Sequence, residues 1–455
     1  MTQPAQTPVD RLQSIPFEQL AAEIEQGAHD ADLEAVFGAT LATDIKKMAD
    51  QRGAMMDGDQ RPLVVMLPGI MGSTLDNTVG QTGRIWLDIP AILRGRLRLL
   101  TLNEQAEPLI PSVNIQPADL IASIYLPMRL HLGWFGGCDL HVLPFDWRYQ
   151  PAASVERLRT LINGLRATDR RRVHLVGHSM GGLVIRAYCA RYNDEAARNL
   201  AQVIMIGTPN AGSMEAIRNL TVGGDQIQLI RKISFSDDVL DLSRSVPGLY
   251  ALMPVPQSAY YANGQKSYPF ASSFDLFQAE NYHILGISAA RLAAAAAALS
   301  VPPQELPVPT MLINGTGVPT SIGVHVSYAA NERPLFDFGT DTTPDGDGTV
   351  PLASALALPG AGSRQVWEGR HGDLPLYPNV RRAVLHLLHG DDPRDLPVRF
   401  DRGFMDDEPT RKEHQSVPAT PLPGALTPAQ VDLAAARIQD GTPTAEDIAL
   451  LTRGW

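Results

Sequence analysis

The stretch VHLVGHSMGGLVIR, residues 173–186, restricts the fold more than any other part of the chain. Residues 173–176 predict a short buried strand, and the apolar residues after the last glycine predict a helix with a broad apolar face. The Gly-x-Ser-x-Gly pattern therefore lies at a strand-to-helix turn, which is where a nucleophile elbow is found. Such a turn needs Gly177 and Gly181, because it leaves no room for side chains beside the serine. Ser179 is thus the candidate nucleophile.

The pattern on either side of this turn predicts the fold class. Short apolar strands alternate with helical patterns, which is typical of an α/β protein with a doubly wound, mostly parallel sheet. The predicted strands lie within residues 62–75, 139–148, 172–179, 201–213, 309–317 and 364–369. An elbow on such a sheet predicts the α/β-hydrolase fold.

The chain divides into three predicted regions. We predict an N-terminal helical extension in residues 1–55, a catalytic domain in 56–390, and a Pro-rich linker with a helical tail in 391–455. Residues 213–305 interrupt the alternation of strands and helices, and an insertion of this size above a strand is typical of a cap or lid. The tail shows no catalytic pattern, so we expect its two short helices to dock or pack on the core.

Charge, cysteine content and apolar runs exclude several classes of protein. A net charge of −11 argues against a nucleic-acid partner. Two cysteines are too few for a disulfide scaffold. The start of the sequence lacks the basic and apolar regions of a secretory signal, and no apolar run reaches membrane-spanning length, so we expect a cytoplasmic protein. No clustered Cys/His pattern suggests a metal, and we expect no cofactor.

A serine nucleophile requires a base, and the sequence offers eleven histidines. In an α/β-hydrolase the chain order is Ser, then Asp or Glu, then His. His371 lies in the loop after the last predicted strand and before the last helix, where the base of this fold arises. The other histidines precede Ser179 or lie in the insertion, a predicted hairpin, the closing helix or the linker. We expect His178, inside the elbow, to be structural.

The acid and the oxyanion donors are predicted from their loops. DGDGTVPLAS, residues 345–354, follows the penultimate strand and a hairpin, and its Gly-Asp-Gly turn exposes a carboxylate. Asp347 is our first choice for the acid and Asp345 the second. The backbone N–H groups of Met180, after the nucleophile, and of Ile70, in LPGIMGS, are the predicted oxyanion donors.

Seven motifs together resemble a known family. In chain order they are VVMLPGIMGSTLD, IWLD, LPFDWR, VGHSMGGLVIR, GTPNAGS, SVPGLYALMPVP and DGDGTVPLAS. This order resembles that of the lecithin:cholesterol acyltransferase-like α/β-hydrolases, which include lysosomal phospholipase A2-type enzymes and bacterial lipases. The resemblance spans about residues 61–390 and implies the same triad and oxyanion donors, with a cap over an acyl pocket. The N-terminal helices and the tail have no counterpart in it.

The sequence therefore predicts a serine esterase or lipase. The expected partner is an ester or lipid-like small molecule, with transient contact between the cap and a lipid surface. Within the cap, Leu249, Leu252 and Met253 are predicted to line the acyl channel, unless they belong to the core of a rigid subdomain. Three alternatives stay open: an acyltransferase that uses a lipid or sterol alcohol, an intracellular polyester depolymerase, and an inactive hydrolase-fold binding scaffold.

Overall fold

A computed structural model of the chain describes residues 6–50, 61–80, 82–262, 267–329, 334–399 and 427–453. Most of the predicted Pro-rich linker, residues 400–426, lies outside this set. The described strands are β1 (Leu63–Leu67), β2 (Ser73–Asn77), β3 (Gly83–Trp86), β4 (Ile115–Leu120), β5 (Asp139–Val142), β6 (Val173–His178), β7 (Leu200–Ile206), β8 (Ala271–Ser272), β9 (Thr310–Thr316), β10 (Thr320–Ser321), β11 (Gly323–Tyr328), β12 (Pro334–Asp337), β13 (Thr342–Thr343) and β14 (Gly362–Trp367).

Helices surround these strands and extend beyond them at both ends of the chain. They are α1 (Pro8–Ser14), α2 (Phe17–Glu25), α3 (Asp30–Asp50), α4 (Ile89–Leu93), α5 (Ala122–Arg129), α6 (Val155–Thr168), α7 (Met180–Arg191), α8 (Asn193–Asn199), α9 (Met214–Thr221), α10 (Asp225–Ser234), α11 (Asp238–Ser245), α12 (Pro247–Tyr250), α13 (Gln257–Ala262), α14 (Ala289–Leu299), α15 (Leu352–Ala355), α16 (Pro378–Leu388), α17 (Pro428–Gln439) and α18 (Ala445–Arg453). Within the described ranges, no helix combines the length and the apolar character needed to cross a bilayer.

Six parallel strands form the central sheet, in the order β14-β9-β7-β6-β1-β5. Every residue of β1 is buried, as expected for a strand of a parallel sheet that is covered on both faces. In the register of the sheet, Val65 of β1 lies between His141 of β5 and Leu175 of β6. The predicted α/β-hydrolase fold is confirmed.

The order of the strands places a crevice above β1 and β6. The chain passes from β1 to β5 on one side, and then returns to β6 on the other side of β1. Ligands of such sheets bind outside the carboxyl ends of the strands, at the point where this order reverses. The loops that begin at Pro68, after β1, and at Ser179, after β6, therefore meet at the most favourable binding position of the sheet.

The insertion between β7 and β9 is a helical subdomain that is tied to the sheet domain. Its backbone bonds to the loop after β5 through Gly248 N and Arg148 O, at 2.9 Å, and to its own base through Val255 N and Ala211 O, at 3.0 Å. Leu249 is completely buried. These contacts favour the rigid subdomain that the sequence left open over a mobile flap.

Both terminal extensions pack on this body. Helix α3 contacts α5 and α18, while α17 and α18 contact α10 of the insertion. Thr427 caps α17 in a capping box with Gln430, and Thr444 Oγ1 accepts a bond from Asp447 N at 3.2 Å. The two tail helices are thus confirmed and pack on the core, whereas the three domain boundaries stay a prediction.

Two small sheets were only partly predicted. The hairpin of β11 and β12 is present as expected, and β8 of the insertion joins it. Strands β2, β3 and β4 form an antiparallel sheet that the alternation of strands and helices did not predict. This sheet begins directly after the loop that follows β1, and so it helps to position that loop.

Candidate active site

Ser179 occupies a sterically tight turn between β6 and α7. Its backbone has φ 50° and ψ −121°, a conformation that non-glycine residues rarely adopt and that clusters at functional sites. A Cβ atom on Gly181 would lie 2.6 Å from the carbonyl oxygen of Pro68, and one on Gly177 would lie 2.7 Å from the backbone nitrogen of Gly182. The predicted steric need for glycine on both sides of the serine is confirmed. Gly182 is needed too, since its Cβ would lie 2.0 Å from Thr208 Oγ1.

A side chain on Gly181 would disturb the loop after β1 as well as the elbow. We expect Gly181→Ala to lower both the melting temperature and the rate of ester hydrolysis, because the backbone oxygens of Leu67 and Pro68 would have to move. Gly164→Ala in α6 is the matched control, since no atom lies within 4 Å of its added Cβ. There the same change should stabilise the fold by about 0.5–1 kcal/mol, the helical difference between glycine and alanine. Equal effects at the two positions would contradict the steric account.

Three side chains predicted from distant loops meet above the sheet. His371 Nε2 lies 2.9 Å from Ser179 Oγ, and His371 Nδ1 lies 2.7 Å from Asp347 Oδ2. All three residues are buried, with 3–5% of their surface exposed. An ionised carboxylate can only accept hydrogen bonds, so Nδ1 carries the proton and Nε2 is left to accept the serine hydroxyl. This is the arrangement in which a histidine can remove a proton from a serine.

The carboxylate of Asp347 is held by its own turn. Its Oδ1 accepts bonds from the backbone nitrogens of Thr349, at 3.0 Å, and Val350, at 2.6 Å. The backbone nitrogen of His371 donates to the carbonyl oxygen of Asp347 at 2.9 Å, which ties the acid and base loops together. Asp345, our second choice, is exposed. The structure thus brings the first choice to the histidine.

The two predicted oxyanion donors also lie at this site. Ile70 lines the pocket above Ser179, and a Cβ atom on neighbouring Gly69 would lie 3.0 Å from Ser179 Cβ. Met180 is the first residue of α7, where backbone N–H groups lack partners within the helix. Within the described residues, the N–H groups of Ile70 and Met180 make no hydrogen bond. Both are therefore available to an anion.

A buried chain of hydrogen bonds connects the loop after β1 to the backbone of His371, the base. Gly69 N donates to Tyr125 Oη at 2.8 Å, and Tyr125 Oη lies 2.8 Å from His178 Nδ1. His178 Nε2 lies 3.1 Å from the carbonyl oxygen of His371, an acceptor, so Nε2 carries the proton and Nδ1 accepts from the tyrosine. Burial, followed by the nearby His371, lowers the pKa of His178 to about 3, which keeps the ring neutral. His178 is structural, as predicted, while Tyr125 was missed.

Two buried tryptophans hold the loop after β1 from the other side. Trp86 Nε1 donates to the carbonyl oxygen of Met71 at 2.8 Å, and Trp147 Nε1 donates to that of Ser73 at 3.1 Å. Their rings meet edge to face, with centroids 5.4 Å apart. They belong to the IWLD and LPFDWR motifs. These motifs therefore stabilise the loop after β1 without lining the pocket themselves.

The pocket around Ser179 differs in part from the predicted one. Of the three predicted substrate residues, Leu252 lines it, but Leu249 and Met253 do not. Those two predictions are wrong: both side chains are completely buried in the core of the subdomain. The apolar wall is formed by Ile70, Ile124, Pro209, Ala216, Leu252 and Val350.

Sequence reasoning missed the charged residues of the pocket, Glu215 and Arg453. Glu215 lies in the first turn of α9, directly after the GTPNAGS motif, so its proximity to that loop was a usable signal. Burial raises the pKa of its carboxyl group, and the partner Arg218, at 3.2 Å, opposes that shift. Arg453 comes from the end of the tail, where no local pattern indicated a role. Among the described residues, no group of three or more His, Cys, Asp or Glu is arranged to hold a metal ion.

Comparison with known proteins agrees with the resemblance in the motifs. Residues 130–281 match the family model named lecithin:cholesterol acyltransferase. No curated protein matches the chain in sequence.

Several solved structures are similar to this chain at low sequence identity. The structure of the Tle4-Tli4 complex is 14% identical, with 72% of this chain and 98% of that chain covered, at a TM-score of 0.42. The mature lipase BlEst2 of Bacillus licheniformis is 14% identical over 70% of this chain and 88% of that chain, at a TM-score of 0.33. The carboxylesterase CesB of Bacillus subtilis is 12% identical over 74% and 86%, at a TM-score of 0.31. The parallel sheet and the elbow are those of an α/β-hydrolase, and the family match over residues 130–281 supports a lecithin:cholesterol acyltransferase-like member of that fold.

Proposed function

We propose that the protein is a serine hydrolase that cleaves carboxylic esters of acyl or lipid-like substrates, with Ser179, His371 and Asp347 as its triad. The observation that carries this proposal is the chain of two hydrogen bonds, 2.9 Å from Ser179 to His371 and 2.7 Å from His371 to Asp347. Their burial supports it, because a site shielded from water strengthens the electrostatic contacts within it.

In the first half of the reaction, His371 Nε2 takes the proton of Ser179 Oγ as that oxygen attacks the carbonyl carbon of the ester. The carbonyl oxygen becomes negatively charged and accepts hydrogen bonds from the N–H groups of Ile70 and Met180. Asp347 stabilises the imidazolium that forms and keeps its ring oriented. The histidine then protonates the departing alcohol oxygen, the ester C–O bond breaks, and an acyl-serine remains.

In the second half, His371 takes a proton from the acyl acceptor, which attacks the acyl-serine. Water as acceptor releases a carboxylic acid, and an alcohol releases a new ester. The proton then returns to Ser179 Oγ, which leaves the triad ready for another cycle.

The pocket supports an acyl substrate, because most of its wall beyond the triad is apolar. Ile124 of α5, Ala216 of α9 and Leu252 of the subdomain come from three separate elements and surround the space above Ser179. The family model that matches residues 130–281 is named for an acyltransferase, which favours transfer to an alcohol as the second candidate activity.

A series of p-nitrophenyl esters from acetate to palmitate tests both activities. We expect release of nitrophenol from the acyl esters, with product analysis showing free acid when water alone is present. A fatty ester formed on addition of a long-chain alcohol would establish the acyltransferase alternative. No turnover of any ester by the folded protein would contradict the proposal and favour the inactive scaffold.

Leu252 should affect the preference of the enzyme for acyl length. Its side chain lines the pocket, so Leu252→Ala is expected to lower kcat/KM for octanoate and longer esters by about tenfold, the scale of a lost apolar contact in a binding pocket. Hydrolysis of acetate, which is too short to reach this wall, should change little. The ratio of the two kcat/KM values is the measurement.

Leu249→Ala is the matched control, since Leu249 lies in the same segment but is completely buried. It should lower the free energy of unfolding by about 2–5 kcal/mol, the usual cost of emptying a core leucine site, and leave the acyl-length preference unchanged. A shift of preference in Leu249→Ala and none in Leu252→Ala would overturn this assignment of the pocket wall.

A further inference from the structure

The last helix of the described chain, α18, ends at the pocket that contains Ser179. Thr452 and Arg453 line this pocket together with His371 and Gly372. Arg453 is nevertheless 1% exposed, so its guanidinium lies inside the protein and not on its surface. A buried cation at the end of a long tail requires a partner, since an unpaired buried charge is strongly unfavourable.

That partner is a carboxylate two residues after His371. Arg453 Nη1 lies 2.7 Å from Asp373 Oδ1, and the Asp373 side chain is completely buried. Burial raises the pKa of Asp373, and the nearby Arg453 opposes that shift. In the described part of the chain, Asp373 Oδ2 has no hydrogen-bond partner, so Arg453 is the one side chain that bonds this carboxylate.

The backbone of the tail also abuts the histidine loop. A Cβ atom on Gly372 would lie 2.4 Å from the carbonyl oxygen of Arg453 and 3.0 Å from its Cβ. Gly372 separates His371 from Asp373, so the tail contacts the turn His371–Leu376 through both the backbone and the ion pair. The position of this turn therefore depends on where α18 ends.

Helix α18 is itself anchored firmly. It packs against α3, α5 and α10, and the backbone oxygen of Leu451 accepts a bond from Gln226 of α10 at 2.5 Å. Asp447, at its start, is paired with Arg437 of α17 at 2.5 Å. The N-terminal extension, the inserted subdomain and the first tail helix thus all contact α18, whose last residues lie beside the loop of the base.

We propose that Arg453 is a positioning residue of the active site, which holds His371 in reach of Ser179 by fixing Asp373 and Gly372. The inference rests on the proposed function. It adds that α18 supports the active site by holding the loop that contains His371. Its physical basis is that small displacements of a reacting group are costly, since a misplacement of about 1 Å can lower a rate by about 10²-fold.

The test compares three variants with the wild-type chain. Arg453→Met removes the charge, Arg453→Lys keeps it, and the double variant Arg453→Met/Asp373→Asn removes both buried charges. Asp432→Asn is the control, since Asp432 of α17 forms an exposed ion pair with Lys232 of α10. For each, kcat and KM are measured on a short p-nitrophenyl ester, together with the rate at which a fluorophosphonate labels Ser179.

Arg453→Met should lower kcat and the labelling rate together by about 10–100-fold, with a much smaller change in KM, because the base is displaced while the apolar wall of the pocket is kept. Arg453→Lys should stay within about fivefold of the wild type, because a lysine can still pair with the carboxylate. Asp432→Asn should match the wild type. A folded Arg453→Met that keeps the wild-type kcat, or that raises KM alone, would overturn the proposal.

The double variant covers the case in which Arg453→Met does not fold. Without the buried carboxylate it should fold, and we still expect kcat at least fivefold below wild type, since the turn has lost its anchor. Full wild-type activity in the double variant would refute the positioning role. A wild-type protein that is neither labelled nor hydrolytic would instead refute the proposed function itself, so the two failures are distinguishable.

Discussion

Ser179→Ala is expected to lower kcat for p-nitrophenyl acetate by about 10⁶-fold, the loss seen when the serine of a comparable triad is removed. The hydroxyl is the only protein group in the proposed mechanism that forms a bond to the acyl carbon, so no side chain replaces it. His371 and Asp347 would stay in place, since their 2.7 Å hydrogen bond does not involve the serine. The measurement is kcat with a circular dichroism spectrum that confirms folding.

Ser300→Ala is the control for this prediction. Ser300 lies at the end of α14, is exposed, and bonds only to the backbone oxygen of Ala296 among the described residues. It should leave kcat unchanged. If Ser179→Ala kept more than about one-hundredth of the activity while Ser300→Ala behaved as wild type, a second nucleophile would have to exist, against the effect expected of a triad serine.

Asp347→Asn should lower kcat by about 10⁴-fold, because an amide donating to His371 Nδ1 would stabilise the wrong tautomer of the imidazole. Nε2 would then carry a proton and could not accept one from Ser179. KM should change much less, since Asp347 does not line the pocket. Kinetics at several pH values on the folded variant measure the effect.

Asp345→Asn is the matched control, two residues earlier in the same turn and exposed. We expect it to lower kcat by less than about threefold, in line with a surface substitution. A larger loss from Asp345→Asn than from Asp347→Asn would mean that the turn adopts another conformation in the working enzyme, and that the wrong carboxylate has been assigned.

The elbow was predictable because its sequence pattern is local. Gly177, Ser179 and Gly181 alternate within one short stretch. A Cβ on Gly177 would clash with the helix that follows, whereas a Cβ on Gly181 would clash with the loop after β1, a contact that the pattern implies but does not show. His371 was also predictable, because the base of this fold follows the nucleophile and the acid in the chain and lies in the loop after the last strand. Asp347 required only a choice between two carboxylates in one turn.

The pocket wall was less predictable, since periodicity does not show where an apolar side chain points. Leu249, Leu252 and Met253 are all apolar. Which of them lines the pocket and which lies in the core depends on how α12 packs against the loop after β5. A Cβ on Gly248 would lie 2.0 Å from the carbonyl oxygen of Trp147, which shows how closely that helix is seated. This contact joins residues about a hundred positions apart, beyond any local pattern.

The role of the tail was not predictable for the same reason. Arg453 and Asp373 are 80 residues apart, and Gln226 and Leu451 are 225 apart. In the sequence, α17 and α18 are ordinary capped helices, and their packing on the core was expected. That the last turn reaches the base loop follows only from the tertiary arrangement of α3, α5 and α10 around it.

Covalent labelling tests the central claim most directly. A fluorophosphonate reacts preferentially with a serine that a base activates, so the adduct reports the nucleophile independently of any preferred ester. We predict that the intact protein gains one phosphonyl group, that peptide mass spectrometry places it on Ser179, and that Ser179→Ala gains none. A folded protein that takes up no label, or an adduct at another residue that persists in Ser179→Ala, would contradict the account.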